Sequence, residues 1–89
     1  MTGEQPWDIG FTRRARKDMD RLDPPVRRRI YAALGRLAAG DLTLQERRLA
    51  NLSEWRIRVG DWRVRFTRNI ETRTIAVQRV LPRGRAYER

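Results

Sequence analysis

The chain has 89 residues and a net charge of +10, from 21 basic and 11 acidic side chains. Its length predicts one domain, residues 1–89. It contains no cysteine and no histidine, which excludes a disulfide framework and removes the usual metal ligands, so we expect neither a metal nor another cofactor. Without a signal-peptide pattern or an apolar run of roughly 20 residues, a cytoplasmic protein without membrane contact is expected.

The basic charge is concentrated in the second half of the chain. Residues 1–46 hold 9 basic and 7 acidic side chains, a net charge of +2, whereas residues 47–89 hold 12 and 4, a net charge of +8. Such an uneven field indicates nucleic acid or an acidic protein as the partner. A generally solvated basic surface would give the same counts and stays open as the alternative.

The first predicted elements are a strand and a helix. Trp7, Ile9 and Phe11 alternate with Asp8 and Gly10, a period of two that is typical of a short, half-buried strand. From Thr12 onward, apolar residues recur at helical spacing, and they are Ala15, Met19 and Leu22. The spacing predicts a helix with Thr12 as its N-cap.

A second helix follows at once. Asp23-Pro24-Pro25 ends the first helix and begins the next, because Asp23 can cap and proline is favoured at the first helical position. An apolar stripe runs along this helix, formed by Val26, Ile30, Ala33, Leu34, Leu37 and Ala38. Gly40 is a natural C-terminal stop. So short a joint predicts an antiparallel helix hairpin, and residues 41–52 are predicted to form a loop.

Residues 54–66 predict a tight β-hairpin. Two alternating stretches flank Gly60-Asp61, and Gly60 supplies the positive φ that the first turn position needs. The resulting register pairs Val59 with Trp62, Ile57 with Val64 and Trp55 with Phe66 on the face that the helices would cover. On the other face it pairs Arg58 with Arg63 and Arg56 with Arg65, each β-carbon within roughly 5 Å of its neighbour.

Four arginines on one sheet face are unfavourable in isolation, because like charges lie directly opposite each other. We interpret the arrangement as a site that an external anion completes. The planar guanidinium binds phosphate oxygens in a bidentate manner and stacks on bases. The alternative is that the side chains extend into water, or that Glu54 and Glu71 neutralise them from the edges.

The last predicted strand follows a turn over residues 69–72. It covers residues 74–81, with less regular alternation, and Pro82 ends it. The tail beyond contains Arg83, Arg85 and Tyr87. Beside arginines, Tyr87 could stack on a base or transfer a proton, or it could anchor the tail to the domain.

The chain combines a strand and a helix hairpin with the run Trp-Arg-Ile-Arg-Val-Gly-Asp-Trp-Arg-Val-Arg-Phe and a closing Arg83-x-x-x-Tyr87. In this combination it resembles the RelE/ParE superfamily of toxin–antitoxin toxins. The match covers essentially the whole chain. The resemblance implies an α+β domain of order β-α-α-β-β-β, with the helix hairpin packed on a twisted, mainly antiparallel sheet. RelE-type members cut mRNA in the A site of the 30S ribosomal subunit, and a cognate antitoxin neutralises them. The implied partners are therefore mRNA, the ribosome and an antitoxin.

Carrying the family motif over residue by residue implies a catalytic set of Arg56, Arg58, Arg63, Arg83, Tyr87 and Glu46. In metal-free transphosphorylation the arginines would stabilise charge on the phosphate, while Tyr87, its pKa lowered by them, or Glu46 would take the proton of the 2′-hydroxyl. RelE-type enzymes commonly have lysine where this chain has Arg58, so the acid for the leaving group stays open. The residues assigned to RNA binding are Arg65, Arg85, Arg47 and Arg48.

Two alternatives stay open. A ParE-like toxin has the same fold, is not a nuclease and poisons DNA gyrase. A plain nucleic-acid-binding module would need only the basic field. The arginine face, together with Arg83 and Tyr87, favours the RelE-type nuclease, because a gyrase inhibitor does not need that set.

Overall fold

The computed structural model describes residues 6–40, 47–48 and 54–82, with backbone only for 47–48. The elements are β1 (Asp8–Phe11), α1 (Arg13–Asp20), α2 (Pro24–Ala38), β2 (Arg47–Arg48), β3 (Glu54–Val59), β4 (Trp62–Asn69) and β5 (Thr74–Pro82). The sheet order is β1-β5-β4-β3-β2, with β1 parallel to β5 and every other pair antiparallel. The predicted α+β fold is confirmed. Neither helix in the described ranges is long and apolar enough to cross a membrane.

The predicted β-hairpin is confirmed residue by residue. The register pairs Val59 with Trp62, Ile57 with Val64 and Trp55 with Phe66, and it places both arginine pairs as expected. Gly60 has a φ of 60°, as the two-residue turn requires. An added β-carbon there would also lie 2.8 Å from Nη2 of Arg29, so a side chain of α2 reaches the turn.

One face of the sheet forms the core with the two helices. Its fully buried large side chains are Phe66, Met19, Ile30, Leu37, Ile57, Ile75, Val64, Val77 and Val80. Partly buried Trp7, Ile9 and Phe11 of the first strand region pack against the same cluster, as their alternation predicts. Because side chains alternate along a strand, the arginines at the intervening positions of β3 and β4 belong to the opposite face.

The helix boundaries agree with most of the sequence signals. The Oγ1 of Thr12 accepts a hydrogen bond from the N–H of Ala15 at 3.1 Å, which confirms the N-cap of α1. Gly40 follows α2 with a φ of 78°, and its N–H donates to the carbonyl of Leu37 at 3.0 Å. Asp23 occupies the N-cap position of α2, but its side chain makes no capping hydrogen bond. The proline at the first helical position instead fixes the backbone there.

Arg27 joins the two helices. Its Nε donates to the carbonyl of Met19 at 3.1 Å, and its Nη2 donates to the carbonyl of Leu22 at 2.8 Å. The last carbonyls of a helix have no partner within the helix and carry partial negative charge. Arg27 therefore caps the C-terminal end of α1 from the following helix.

We expect Arg27→Ala to lower the free energy of unfolding by about 1–2 kcal/mol, because it leaves the part-buried carbonyls of Met19 and Leu22 without this donor. Urea denaturation followed by circular dichroism measures the change. The exposed neighbour Arg28 provides a matched control, and Arg28→Ala should change the stability by no more than about 0.5 kcal/mol. Equal effects of the two substitutions would contradict the capping role.

Strand β2 corrects the predicted loop over residues 41–52. Arg47 and Arg48 form a two-residue strand that pairs with β3, Arg47 opposite Arg56 and Arg48 opposite Trp55. Their sequence has too few residues to show an alternating pattern. The pairing depends on the free edge of β3, which exists only once the sheet has formed.

Strand β5 contains an irregularity where α1 begins. Phe66 pairs with Val77 and Arg65 pairs with Arg79, so Gln78 is the extra residue of a β-bulge. On the other side, β1 ends at Phe11, and α1 continues along β5. The hydroxyl of Thr12 donates to the carbonyl of Gln78 at 3.1 Å. The extra residue explains the irregular alternation of this strand in the sequence.

Asp18 of α1 completes the same edge of β5. Its Oδ2 accepts hydrogen bonds from the N–H of Val80 at 2.9 Å and from Nε of Arg79 at 2.8 Å. Its Oδ1 accepts a further one from Nη2 of Arg79 at 3.3 Å. The carboxylate therefore fixes both the backbone and the neighbouring guanidinium beyond the bulge.

Arg68 lies among three aromatic rings at the other end of β4. Its guanidinium carbon is 5.1 Å from the ring centroid of Trp7, 5.7 Å from that of Trp55 and 5.6 Å from that of Phe66. Arg73 lies 4.9 Å from the ring centroid of Trp7. Such cation–π contacts stabilise a charged group against the rim of a core. Part of the net positive charge therefore serves the fold.

Candidate nucleic-acid interface

The sheet face away from the helices carries arginines that lie side by side on four neighbouring strands. The predicted pairs Arg58–Arg63 and Arg56–Arg65 are present. The β4–β5 register adds Arg79 opposite Arg65, and the β2–β3 register adds Arg47 opposite Arg56. We call the line Arg47–Arg56–Arg65–Arg79 the arginine row. With strands about 4.8 Å apart, its backbone positions span roughly 14 Å.

Sequence reasoning did not place Arg79 in this row. The bulge at Gln78 shifts the alternation, so counting from Ile75 and Val77 assigns Arg79 to the wrong face. One signal was available, because Val77 and Val80 are both buried core residues three positions apart rather than two. That spacing is what one extra residue in a strand produces.

Two members of the row are held by carboxylates. Arg65 forms a bidentate pair with Glu54, with both N···O distances at 3.1 Å. Arg79 forms the corresponding pair with Asp18. The alternative that Glu54 neutralises the arginine face therefore holds for Arg65. Glu71 lies in the exposed turn after β4 and forms no ion pair within the described ranges.

The two members of the Arg58–Arg63 pair differ in their exposure to solvent. Arg63 is only 8% exposed, which its alternating position did not predict. Arg58, directly opposite, is exposed, and Arg56 is half-buried. Within the described ranges Arg58 forms no ion pair. Of the four arginines predicted on β3 and β4, Arg58 is therefore the one best placed to meet an anion from solvent.

A cleft opens where the first turn of α1 meets the arginine row. Its volume is about 440 Å³, and its lining residues are Thr12, Arg13, Arg14, Glu54, Arg65, Gln78 and Arg79. We call it the α1 cleft. Its four arginines and single acid give the lining a net charge of +3. An anion is the ligand that this lining favours.

Several predicted site residues lie outside the described ranges. They are Glu46, Arg83, Arg85 and Tyr87. For Arg47 and Arg48 the structure gives only the backbone. The two candidates for proton transfer, Tyr87 and Glu46, therefore stay predictions from the sequence.

The comparisons with known proteins that give a match lead to toxins of toxin–antitoxin systems. A family model described as the ParE toxin of the type II toxin–antitoxin system parDE matches residues 9–87. No curated protein sequence matches the chain. Among solved structures, the RelBE2 toxin–antitoxin complex of Mycobacterium tuberculosis has 26% identity and a TM-score of 0.74, over 88% of this chain and 99% of that one.

Two further solved structures have the same fold. The RelB–RelE antitoxin–toxin complex of Methanococcus jannaschii has 25% identity and a TM-score of 0.72, over 89% of this chain and 95% of that one. The isolated RelE toxin of Escherichia coli has 17% identity and a TM-score of 0.76, over 91% and 88%. At such identities it is the fold that is shared most clearly.

Proposed function

Because the chain belongs to the RelE/ParE superfamily and is a toxin of a type II toxin–antitoxin system, we propose that it cleaves mRNA on the ribosome. The observation that carries the proposal is the arginine row, with exposed Arg58 beside it. Guanidinium groups gathered on one sheet face suit a phosphate backbone. Action on the ribosome places the protein in the cytoplasm.

The proposed reaction is a transphosphorylation within the RNA strand. The 2′-oxygen attacks the adjacent phosphorus to give a 2′,3′-cyclic phosphate, the bond from phosphorus to the 5′-oxygen breaks, and that oxygen takes a proton from water. Arg56 and Arg58 stabilise the charge that grows on the phosphate, together with Arg83. Tyr87 or Glu46 accepts the proton from the 2′-hydroxyl. Arg63 is too deeply buried for broad contact with RNA, and it contributes mainly to the local positive potential.

A purified translation reaction tests the proposal directly. Mapping mRNA 5′ ends with and without the protein should show new ends within the codon that occupies the A site. Tyr87→Phe and Arg83→Ala should each slow the cleavage, by about 10²–10³ for a lost electrostatic donor. Wild-type rates in both variants would reject these residue assignments. An absence of new ends with the wild-type protein would reject the nuclease itself.

A second candidate function is the inhibition of DNA gyrase. The matching family model is named for ParE, and the ion pairs on Arg65 and Arg79 reduce the charge that the arginine row offers to RNA. A supercoiling assay with purified gyrase distinguishes the two functions. Inhibition of supercoiling without mRNA cleavage would establish the ParE-like activity.

The antitoxin is the remaining partner. Similar solved structures are toxin–antitoxin complexes, which supports a cognate antitoxin for this chain. We propose that an acidic or amphipathic segment of it covers the arginine row, since opposite charge and apolar contacts together hold such segments. A complex of this kind weakens as salt screens its charges.

A further inference from the structure

The α1 cleft lies on the arginine face, at the β5 end of the arginine row. Arg65 and Arg79 belong to both the row and the cleft, and α1 adds Arg13 and Arg14. Even with the carboxylate of Asp18 on Arg79 counted, four arginines face two acids, which leaves a net charge of +2. The positive surface therefore continues past the edge of β5 onto the helix.

Arg13 and Arg14 occupy unfavourable positions for cations. They are the first two residues of α1, whose first turn contains no acid. The N-terminal end of a helix carries partial positive charge, so acidic residues stabilise it and basic residues do not. Both side chains are exposed, and within the described ranges neither forms a hydrogen bond or ion pair. The acids nearest to them, Glu54 across the cleft and Asp18 on the same helix, are each paired with another arginine.

The opposite wall of the cleft is fixed in place. Arg65 and Arg79 are 14% and 18% exposed as side chains, and each is oriented by its bidentate carboxylate. Gln78, the bulge residue, lies between them and α1, and its carbonyl is tied to Thr12. A ligand would thus meet two guanidinium groups oriented by carboxylates on one side and two exposed guanidinium groups on the other.

We propose that the α1 cleft binds a phosphodiester group of RNA at a distance from the phosphate that reacts. The backbone positions of Arg56 and Arg79 are two strand spacings apart, roughly 10 Å. Arg65 lies between them, so the side of the cleft formed by Arg79 and α1 is far enough from Arg56 to hold a different phosphate of the strand. Assigning the strand to mRNA rests on the proposed function. The same chemistry is offered by ribosomal RNA.

The test uses single substitutions that remove one charge each. Arg13→Gln and Arg14→Gln are compared with Arg28→Gln, another exposed helical arginine, which lies outside the cleft. Arginine and glutamine have similar helix propensities, so all three variants should fold. Circular dichroism checks this. The probe is a single-stranded RNA of about eight nucleotides, within the site sizes of single-strand-binding domains.

Fluorescence anisotropy over a range of salt concentrations gives the Kd and its salt dependence. We expect Arg13→Gln and Arg14→Gln each to reduce the slope of log K against log salt by about 0.7, the value for one phosphate contact on a single strand. Arg28→Gln should leave the slope unchanged. Wild-type slopes in both cleft variants, or no binding of the probe by the wild-type protein, would overturn the proposal.

Separate measurements distinguish this inference from the nuclease proposal and identify the RNA. Oligonucleotide binding tests the cleft whether or not mRNA is cut, and 5′-end mapping tests the nuclease. Weaker binding of Arg13→Gln to ribosomes without mRNA would support ribosomal RNA as the source, and an effect confined to programmed ribosomes would support mRNA. If the cleft variants kept full RNA affinity and instead lost affinity for the antitoxin, the cleft would be a protein-binding site and the proposal would be wrong.

Discussion

Asp18→Ala is expected to lower the free energy of unfolding by about 3 kcal/mol, the low end of the effect of removing one partner of a buried ion pair, because this pair is mostly buried. The side chains of Asp18 and Arg79 are 9% and 18% exposed. The substitution would leave the guanidinium of Arg79 without this carboxylate, and the N–H of Val80 would lose its acceptor. For a domain of this size, thermal denaturation should show a midpoint lower by roughly 4–8 °C per kcal/mol.

Asp20 offers a matched control on the same helix. It is exposed, and both acids lie in the half of α1 where the helix dipole disfavours negative charge. Asp20→Ala should therefore change the stability by less than about 0.5 kcal/mol. In the Asp18→Ala background, Arg79→Ala should be less harmful than in the wild type, because the two residues are coupled. If the losses of unfolding free energy in the two single variants added up in the double variant, the Asp18–Arg79 interaction would contribute nothing to stability.

Arg58→Ala is expected to reduce ribosome-dependent mRNA cleavage by about 10²–10³, the usual effect of removing one donor to a charged transition state. Arg58 is the exposed member of the predicted pairs on β3 and β4, so the loss should occur without a loss of stability. Single-turnover cleavage of mRNA on programmed ribosomes measures the rate. Unchanged cleavage would remove Arg58 from the site.

Arg58→Lys separates charge from proton transfer. An ammonium group keeps the positive charge and has a lower ordinary pKa than a guanidinium group, so it releases a proton more readily. If the arginine supplies only charge and the leaving-group step is slow, the lysine variant should cleave at the wild-type rate or faster. Arg28→Ala serves as the control for charge loss elsewhere. A rate for the lysine variant as low as that for alanine would show that the planar guanidinium is required.

The sequence was sufficient for the elements whose causes are local. Strict alternation on both sides of Gly60-Asp61 determines the β3–β4 register, because a two-residue turn allows only one pairing. Thr12 caps α1 through a residue three positions away. The apolar stripes of both helices likewise identify the core. In each case the controlling residues lie within a few positions of one another.

The features that the sequence did not predict depend on distant partners. The bulge in β5 is completed by α1, and Arg79 is bound by an aspartate 61 positions earlier. The burial of Arg63 follows from what surrounds it in the folded sheet rather than from its own alternation. Arginine count was also a poor guide to binding, because Arg27 caps a helix and Arg68 lies among aromatic rings. The sequence gives the number of positive charges, and only the fold shows how many of them a ligand can reach.

The parallel pairing of β1 with β5 has a consequence for synthesis of the protein. Asp8 pairs with Thr74 and Phe11 with Val77, so β1 cannot pair within the sheet until β5 has been synthesised. Contacts between such distant segments slow folding, because a long loop must close before they form. A nascent chain lacking β5 also lacks Arg79, the bulge and the wall of the α1 cleft. The proposed RNA-binding surface is therefore complete only after nearly all of the described chain has been made, and an antitoxin already present would then have time to bind first.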